Sequence, residues 1–217
     1  DFVEDVLAAG AAAVVVSRED CAALDGALKV DDTLAALQTL AKAWRRNVNP
    51  FVFGITGSGG KTTVKEMLAA VLRRRFGDDA VLATAGNFNN HIGVPLTLLR
   101  LTKAHEVAVV EMGANHPGEI RDLCAIARPD CGLITNVGRA HLEGFGSFEG
   151  VIRTKGELYD FLRATGSRIF IDEDNEHLTA IAGGADSVGY GCTMRPTTRI
   201  AGQTVDGPPP FLAFAWQ

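Results

Sequence analysis

Apolar and polar positions change period several times along these 217 residues, and the changes outline the fold. Near the start, Phe2, Val6 and Leu7 form one apolar stripe and Ala12 to Val16 is a short apolar run. Leu34, Leu37, Leu40, Ala41 and Trp44 then recur at helical spacing. Residues 1–46 therefore predict a helix, a strand and a helix, too little for a stable domain. The chain opens inside a helical pattern with no start signal before it, which predicts that the N-terminal part of this domain lies outside the sequence. Asn47-Val48-Asn49-Pro50 interrupts the period and reads as a short linker.

From Phe51 onward, apolar runs alternate with helical patterns. The runs predict strands at Phe51–Ile55, Ala80–Ala83, Val107–Met112, Gly132–Asn136, Arg168–Asp172 and Ser187–Tyr190. The 3.6-residue patterns predict helices at Lys61–Arg75, Val94–Leu101, Pro117–Ala127, Phe148–Ala164 and Asn175–Ala182. Several strands are continuously apolar, as expected when helices cover both faces of a parallel sheet. The predicted class is α/β, a doubly wound, mostly parallel sheet, in which ligands sit beyond the carboxyl ends of the strands. Thr197 to Gln217 differs, with Gly202, Gly207 and Pro208 to Pro210 among short apolar pieces. It predicts small strands and turns, either a unit cut short or a hairpin appended to the sheet.

The composition narrows the classes. An apolar content of 47% supports a packed core, and a net charge of −5 gives no electrostatic footprint for nucleic acid. Arg73-Arg74-Arg75 falls at a predicted helix end, where cations favour the dipole. Cys21, Cys124, Cys131 and Cys192 have no C-x-x-C spacing and no secretory signal precedes them, so a reducing cytoplasm is the expectation. No apolar run approaches the ~20 residues needed to span a bilayer, so a soluble protein without membrane insertion is expected.

The chemistry begins at Thr56-Gly57-Ser58-Gly59-Gly60-Lys61-Thr62-Thr63, which breaks the first of the apolar runs after Pro50 and opens a helical pattern. Glycines let backbone N–H groups approach an anion, and a helix N-terminus presents further N–H groups and the positive end of its dipole. This is a phosphate loop in the shorter form T-G-x-x-G-K-T, with Lys61 for the outer phosphates and Thr62 for Mg²⁺. Glu111 ends a buried run and needs a partner, for which Mg²⁺ shared with Thr62 is the natural choice. His141 reads as a metal ligand, an orienting group or a plain loop histidine; His105 and His177 read as solvated. Lys155 lies one or two turns into the helix opened by Ser147, where a lysine ordinarily snorkels to water. The segment Thr84 to Pro95, rich in Asn and Gly, is either a loop whose amides bond a polar substrate or a long turn of Asx bonds.

Taken together, four segments resemble the Mur ligase family, the ATP-dependent amide-forming enzymes of peptidoglycan synthesis. They are TGSGGKTT at 56–63, EMGANHPGEI at 111–120, NVGRAHLEGFGS at 136–147 and TKGEL at 154–158. The loop TAGNFNNHIGVP at 84–95 is most like the member that joins D-alanyl-D-alanine to UDP-N-acetylmuramoyl-tripeptide. The resemblance implies that residues 1–48 end a UDP-substrate-binding domain and that 49–217 are an ATP-binding central domain, incomplete at its end. It implies Lys61, His141 and Lys155 as catalytic residues and 56–63 as the ATP loop. Thr62 and Glu111 would hold a first Mg²⁺, His141 a second, with Lys155 carbamylated to bridge it. Asn87, Asn89, Asn90 and His91, with Asn115 and His116, would face the muramoyl peptide. A monomer is expected. The alternatives are a related ligase for another amino acid, a folate or a polyamide, and a nucleotide-binding module without ligase chemistry.

Overall fold

Asp32 begins the first long helix by accepting hydrogen bonds from the N–H groups of Leu34 (2.7 Å) and Ala35 (3.1 Å), the usual role of an N-cap carboxylate. In the computed structural model, which describes residues 2–138, 142–183, 186–193, 198–205 and 213–216, that helix is α2 (Thr33–Val48). It is preceded by α1 (Val3–Ala8), β1 (Val14–Val16) and β2 (Ala27–Lys29). Then follow β3 (Phe51–Thr56), α3 (Lys61–Phe76), β4 (Val81–Ala83), α4 (Gly93–Leu99), β5 (Val107–Glu111), α5 (Glu119–Ala127) and β6 (Cys131–Ile134). The remainder is α6 (Leu142–Phe145), α7 (Phe148–Ala164), β7 (Arg168–Asp172), α8 (Glu176–Ala182), β8 (Ser187–Gly191), β9 (Thr198–Val205) and β10 (Ala213–Trp216).

Seven strands lie parallel in the order β4-β5-β3-β6-β7-β8-β9, and β10 adds to the far edge antiparallel to β9. The α/β class and the mostly parallel sheet are as the sequence predicts, and the tail contributes two paired strands, β9 and β10, to one edge of the sheet. After β3 the chain visits one side of that strand and then crosses to the other. The carboxyl ends of β5, β3 and β6 therefore meet at the reversal of strand order, where such sheets place ligands. Val52, Ala108, Val110 and Ile134 join a core with residues of α4, α5 and α7. The alternate residues Ile55 and Val109 are also fully buried, on the face where α3 packs against β3 and β5. Burial on both faces explains why β5 reads as an unbroken apolar run.

Helix α2 packs on α4 and α5 and carries Ala41 into the same core. Arg45, 5% exposed, locks it there. Its guanidinium donates to the carbonyls of Ala127 and Arg128 (both 3.0 Å), to Asn49 Oδ1 (2.9 Å) and to Asp130 Oδ2 (3.0 Å). The end of α5 thus finds its missing donors in another helix.

Several predicted boundaries move for local reasons. Residues 1–46 hold a second short strand, β2, paired parallel with β1; its three residues, one half-buried and two exposed, carry no readable alternation. Helix α2 runs through Asn47 and Val48, and the turn begins at Asn49 with a left-handed φ of 56°. Helix α4 ends at Leu99 because Arg100 and Leu101 donate to carbonyls three residues back. Helix α5 starts at Glu119, not Pro117, behind the left-handed Gly118 (φ 89°). Two histidines read as solvated have partners: His105 Nδ1 accepts from Thr102 N–H (2.9 Å), and half-buried His177 packs edge-on against Phe148. No described helix is long and apolar enough to cross a membrane.

Candidate active site

The turn from β3 into α3 is built around Gly57 and Gly60, at φ 143° and 73°. A Cβ on Gly57 would overlap the Thr135 hydroxyl and stand 3.1 Å from both the N and O of Asn136. The loop lies this close because Thr135 and Asn136, just past β6, hold it. Asn136 O accepts from Ser58 N–H and its Oδ1 from Gly59 N–H (both 3.0 Å), while Asn136 Nδ2 and Thr135 Oγ1 donate to Gly59 O (3.1 and 2.6 Å). Ser58 Oγ exchanges hydrogen bonds with the backbone of Gly138. What the loop leaves for a ligand is the start of α3, with its unpaired N–H groups, and Lys61. Lys61 Nζ donates to Gly57 O (2.8 Å), and burial pulls its pKa down against the opposing pull of Glu111.

Glu111, 1% exposed, closes β5 beside this helix. Its carboxylate accepts from Thr62 Oγ1 (3.0 Å) and Asn89 Nδ2 (2.7 Å), and its N–H donates to Thr84 Oγ1 (3.0 Å). Both side-chain donors are neutral, and among the described residues Glu111 has Lys61 nearby and no salt bridge. Among the described residues no three His, Cys, Asp or Glu side chains converge as a metal cage. A Mg²⁺ ion needs no such cage, since it takes one or two protein oxygens together with phosphates and water. Thr62 and Glu111, already in contact, fit that role.

Asn89 also binds the next loop, its carbonyl accepting from Gly113 N–H (2.7 Å). Asn90 Oδ1 accepts from Ile92 and Gly93 N–H (3.0 and 2.8 Å), so half of its amide shapes the turn into α4. Asx bonds of this kind build the turn, as one of the two readings of the Asn-rich segment expects.

Lys155 does not snorkel. Ser147 caps α7 as predicted, accepting from Gly150 N–H (3.1 Å), but Lys155 is 3% exposed. Its Nζ donates to Ala114 O (3.1 Å) and lies 5.1 Å from the centre of the Phe145 ring. Burial, and then the charge of Lys61, push its pKa down to about 8. The loop that supplies Ala114 is pinned from both sides. Glu157 Oε1 accepts from Gly118 N–H (2.7 Å) and Oε2 from Arg121 N–H (2.9 Å), while Glu119 Oε2 accepts from Asn115 and His116 N–H (2.6 and 3.0 Å). Burial opposes ionisation of Glu119, yet those two bonds hold its pKa below the usual range.

These walls enclose a cleft of about 540 Å³. Gly57, Ser58, Lys61 and Lys155 line it together with Asn87, Asn89, Asn90, His91 and Asn115. His116 is exposed and does not line it. His141 lies outside the described residues. Sequence reasoning missed Gln38, Glu119, Asp122, Leu123, Ile126 and Phe145 on the lining. Gln38 comes from α2, its Nε2 donating to His91 O (3.1 Å); a polar residue on an amphipathic helix gives no local signal of such a place.

Residues 55–200 match the Mur ligase middle domain. Over 178 residues the chain is 48% identical to the UDP-N-acetylmuramoyl-tripeptide–D-alanyl-D-alanine ligase of Haemophilus influenzae, covering 82% of this chain and 39% of that protein. The Bacillus subtilis ligase of the same name is 44% identical, over 80% of this chain and 38% of its own. The chain thus spans about two fifths of the length of these relatives. Among solved structures, the MurF ligase of Thermotoga maritima in complex with ADP superposes with a TM-score of 0.82 at 32% identity, covering 94% of this chain and 46% of that one.

Proposed function

This chain belongs to the Mur ligase family, and from that premise we propose that its protein joins D-alanyl-D-alanine to UDP-N-acetylmuramoyl-tripeptide with conversion of ATP to ADP. The observation that carries this reading is one cleft lined by Gly57, Ser58 and Lys61 of the phosphate loop, the buried Lys155 and an amide-rich wall, with Glu111 bonded to Thr62 at the start of α3. The identity to D-alanyl-D-alanine ligases over most of the chain supports the substrate, and the ADP complex of a relative supports the nucleotide.

In the proposed reaction a carboxylate oxygen of the tripeptide attacks the γ-phosphorus of ATP and ADP leaves. The amine of D-alanyl-D-alanine then attacks the carbonyl of the acyl phosphate; phosphate departs, an amide forms and the nitrogen loses a proton. The first step brings two anions together, so charge neutralisation and alignment are the main demands on the site. The first N–H groups of α3 bind the phosphates, and Lys61 leaves Gly57 O for the outer phosphate oxygens. Thr62 and Glu111 would hold Mg²⁺, which when bound supplies further positive charge at those oxygens. Asn87, Asn89, Asn90, His91 and Asn115 orient the peptide, with His116 at the edge. Residues 1–48 would be the end of the domain that holds the UDP moiety, and 49–217 an ATP-binding central domain incomplete at its C-terminal end.

Lys155 is assigned as the residue that takes up CO₂: its neutral amine attacks the carbon, an N–C bond forms and a proton passes to water. The resulting carbamate, with His141, would hold a second Mg²⁺. The lowered pKa favours the neutral amine that this addition requires. The test is ADP release by the protein at the full length of its relatives. It is expected to require both UDP-muramoyl-tripeptide and D-alanyl-D-alanine; ADP formation that needs neither would refute a ligase and leave a nucleotide-binding switch.

A further inference from the structure

One helical turn after Lys61 stands a second lysine, Lys65, wholly buried. An ammonium has three hydrogens, and here three acceptors surround it: Thr84 O at 2.7 Å, Gly86 O at 3.2 Å and Glu66 Oε1 at 2.9 Å. The two carbonyls belong to the root of the amide-rich loop. We propose that Lys65 is a positioning residue that fastens this loop to the phosphate-binding helix and so sets the height of Asn87–His91 over the cleft. The inference rests on the reading of that loop as the wall facing the peptide.

A buried cation is unfavourable unless it is paired, so a side chain serving only to fill space here would be aliphatic. The charge is accounted for by what it holds. Thr84 and Gly86 lie past the end of β4, beyond the ladder that would otherwise satisfy their carbonyls. Thr84 also accepts the Glu111 N–H through its hydroxyl, and Asn89 reaches the Glu111 carboxylate. Lys65 therefore sits at the start of a bonded path from α3 through Thr84 to Glu111 and Asn89. Glu66, its partner on the same helix, is exposed.

Two measurements on Lys65→Met, in the protein at the full length of its relatives, separate this inference from the ligase reading. Hydrogen–deuterium exchange at residues 85–91 is expected to accelerate roughly 10-fold or more, while β5 and α7 stay protected. Unchanged exchange in the loop would overturn the proposal whatever the enzyme does. In steady-state kinetics, KM for the UDP-muramoyl-tripeptide is expected to rise about 10-fold with KM for ATP held within about 2-fold. Equal changes in both, or fewer folded molecules with both KM values unaltered, would mark Lys65 as merely structural. Should the Met variant not fold, Lys65→Gln, which keeps an uncharged donor, is read in the same way. Glu66→Gln is expected to leave loop exchange and both KM values unchanged. If the unaltered protein releases ADP with neither UDP-muramoyl-tripeptide nor D-alanyl-D-alanine present, the ligase reading fails and the exchange result still decides on Lys65.

Discussion

Gly57→Ala tests how the phosphate loop is held. The added methyl meets two separate obstacles. A φ of 143° suits glycine alone, and holding another residue there costs about 1–3 kcal/mol. The methyl also occupies the place of the Thr135 hydroxyl, whose displacement breaks its 2.6 Å bond to Gly59 O, worth about 0.5–1.5 kcal/mol net. Asn136 N and O, each 3.1 Å from the new Cβ, leave little room to relax. Because β3 and β6 are fixed in the sheet, the loop itself must move. A total of about 2–4 kcal/mol weakens nucleotide binding by roughly 30- to 1000-fold. Gly60→Ala is the control: its φ of 73° is left-handed too, but beyond its chain neighbours no atom of the described residues lies within 4 Å of its Cβ. It should lose about 1–2 kcal/mol, roughly 5- to 30-fold. Titration calorimetry with ADP compares the two, and Gly57→Ala affinity within about threefold of Gly60→Ala would refute the reasoning. Adding Thr135→Ala to Gly57→Ala should restore part of the affinity, a coupling that distant sites do not show.

Lys61→Ala is expected to lower kcat/KM for ADP formation at least about 100-fold; retained turnover would remove Lys61 from the phosphate chemistry. With Glu111→Gln, the gain in nucleotide affinity on adding Mg²⁺ should fall from roughly 10-fold or more to below about threefold, read by the same calorimetry with and without the ion. Lys155→Ala should lose activity and regain part of it with a short carboxylic acid supplied in solution; no rescue would count against a carbamate. Arg45→Leu takes the guanidinium donors from the Ala127 and Arg128 carbonyls and the cation from Asp130, and urea unfolding should show a loss of about 2–4 kcal/mol, a value below about 1 contradicting the assigned role.

The parts of this molecule legible in sequence are those whose cause is local. β5 is unbroken Val and Ala because both faces are covered, and Ser147 announces α7 because a cap acts on its own helix. The phosphate loop is marked by glycines whose conformations only they adopt readily. Asn136 is different: the apolar run places it at the end of a strand, whereas β6 stops at Ile134, and its grip on Ser58 and Gly59 depends on β6 pairing beside β3, with Thr56 opposite Ile134. Gln38 is further from legibility still, since it reaches His91 only through the packing of α2 on α4. The N-terminal strand β2 is too short and too exposed to carry a period. For Lys155 the local pattern gave the opposite of the observed burial, and the resemblance to a family supplied its assigned role.

Two lysines, Lys65 and Lys155, show why burial alone does not assign chemistry. Both lie inside the protein on helices next to the cleft, and neither is marked by its helical pattern. Lys65 has an acceptor for each ammonium hydrogen, two loop carbonyls and the Glu66 carboxylate. For Lys155, the structure provides, among the described residues, one carbonyl acceptor and the face of Phe145, with Lys61 close enough to lower its pKa. The first arrangement holds a cation in place, and the second loosens one. If CO₂ adds to the neutral amine, Lys155 changes from +1 to −1, and the repulsion from Lys61 becomes attraction. The same neighbour that promotes loss of the proton then stabilises the product. Lys65 could not undergo that change without releasing the loop it holds, which is why carbamylation is assigned to the lysine on α7 and positioning to the one on α3.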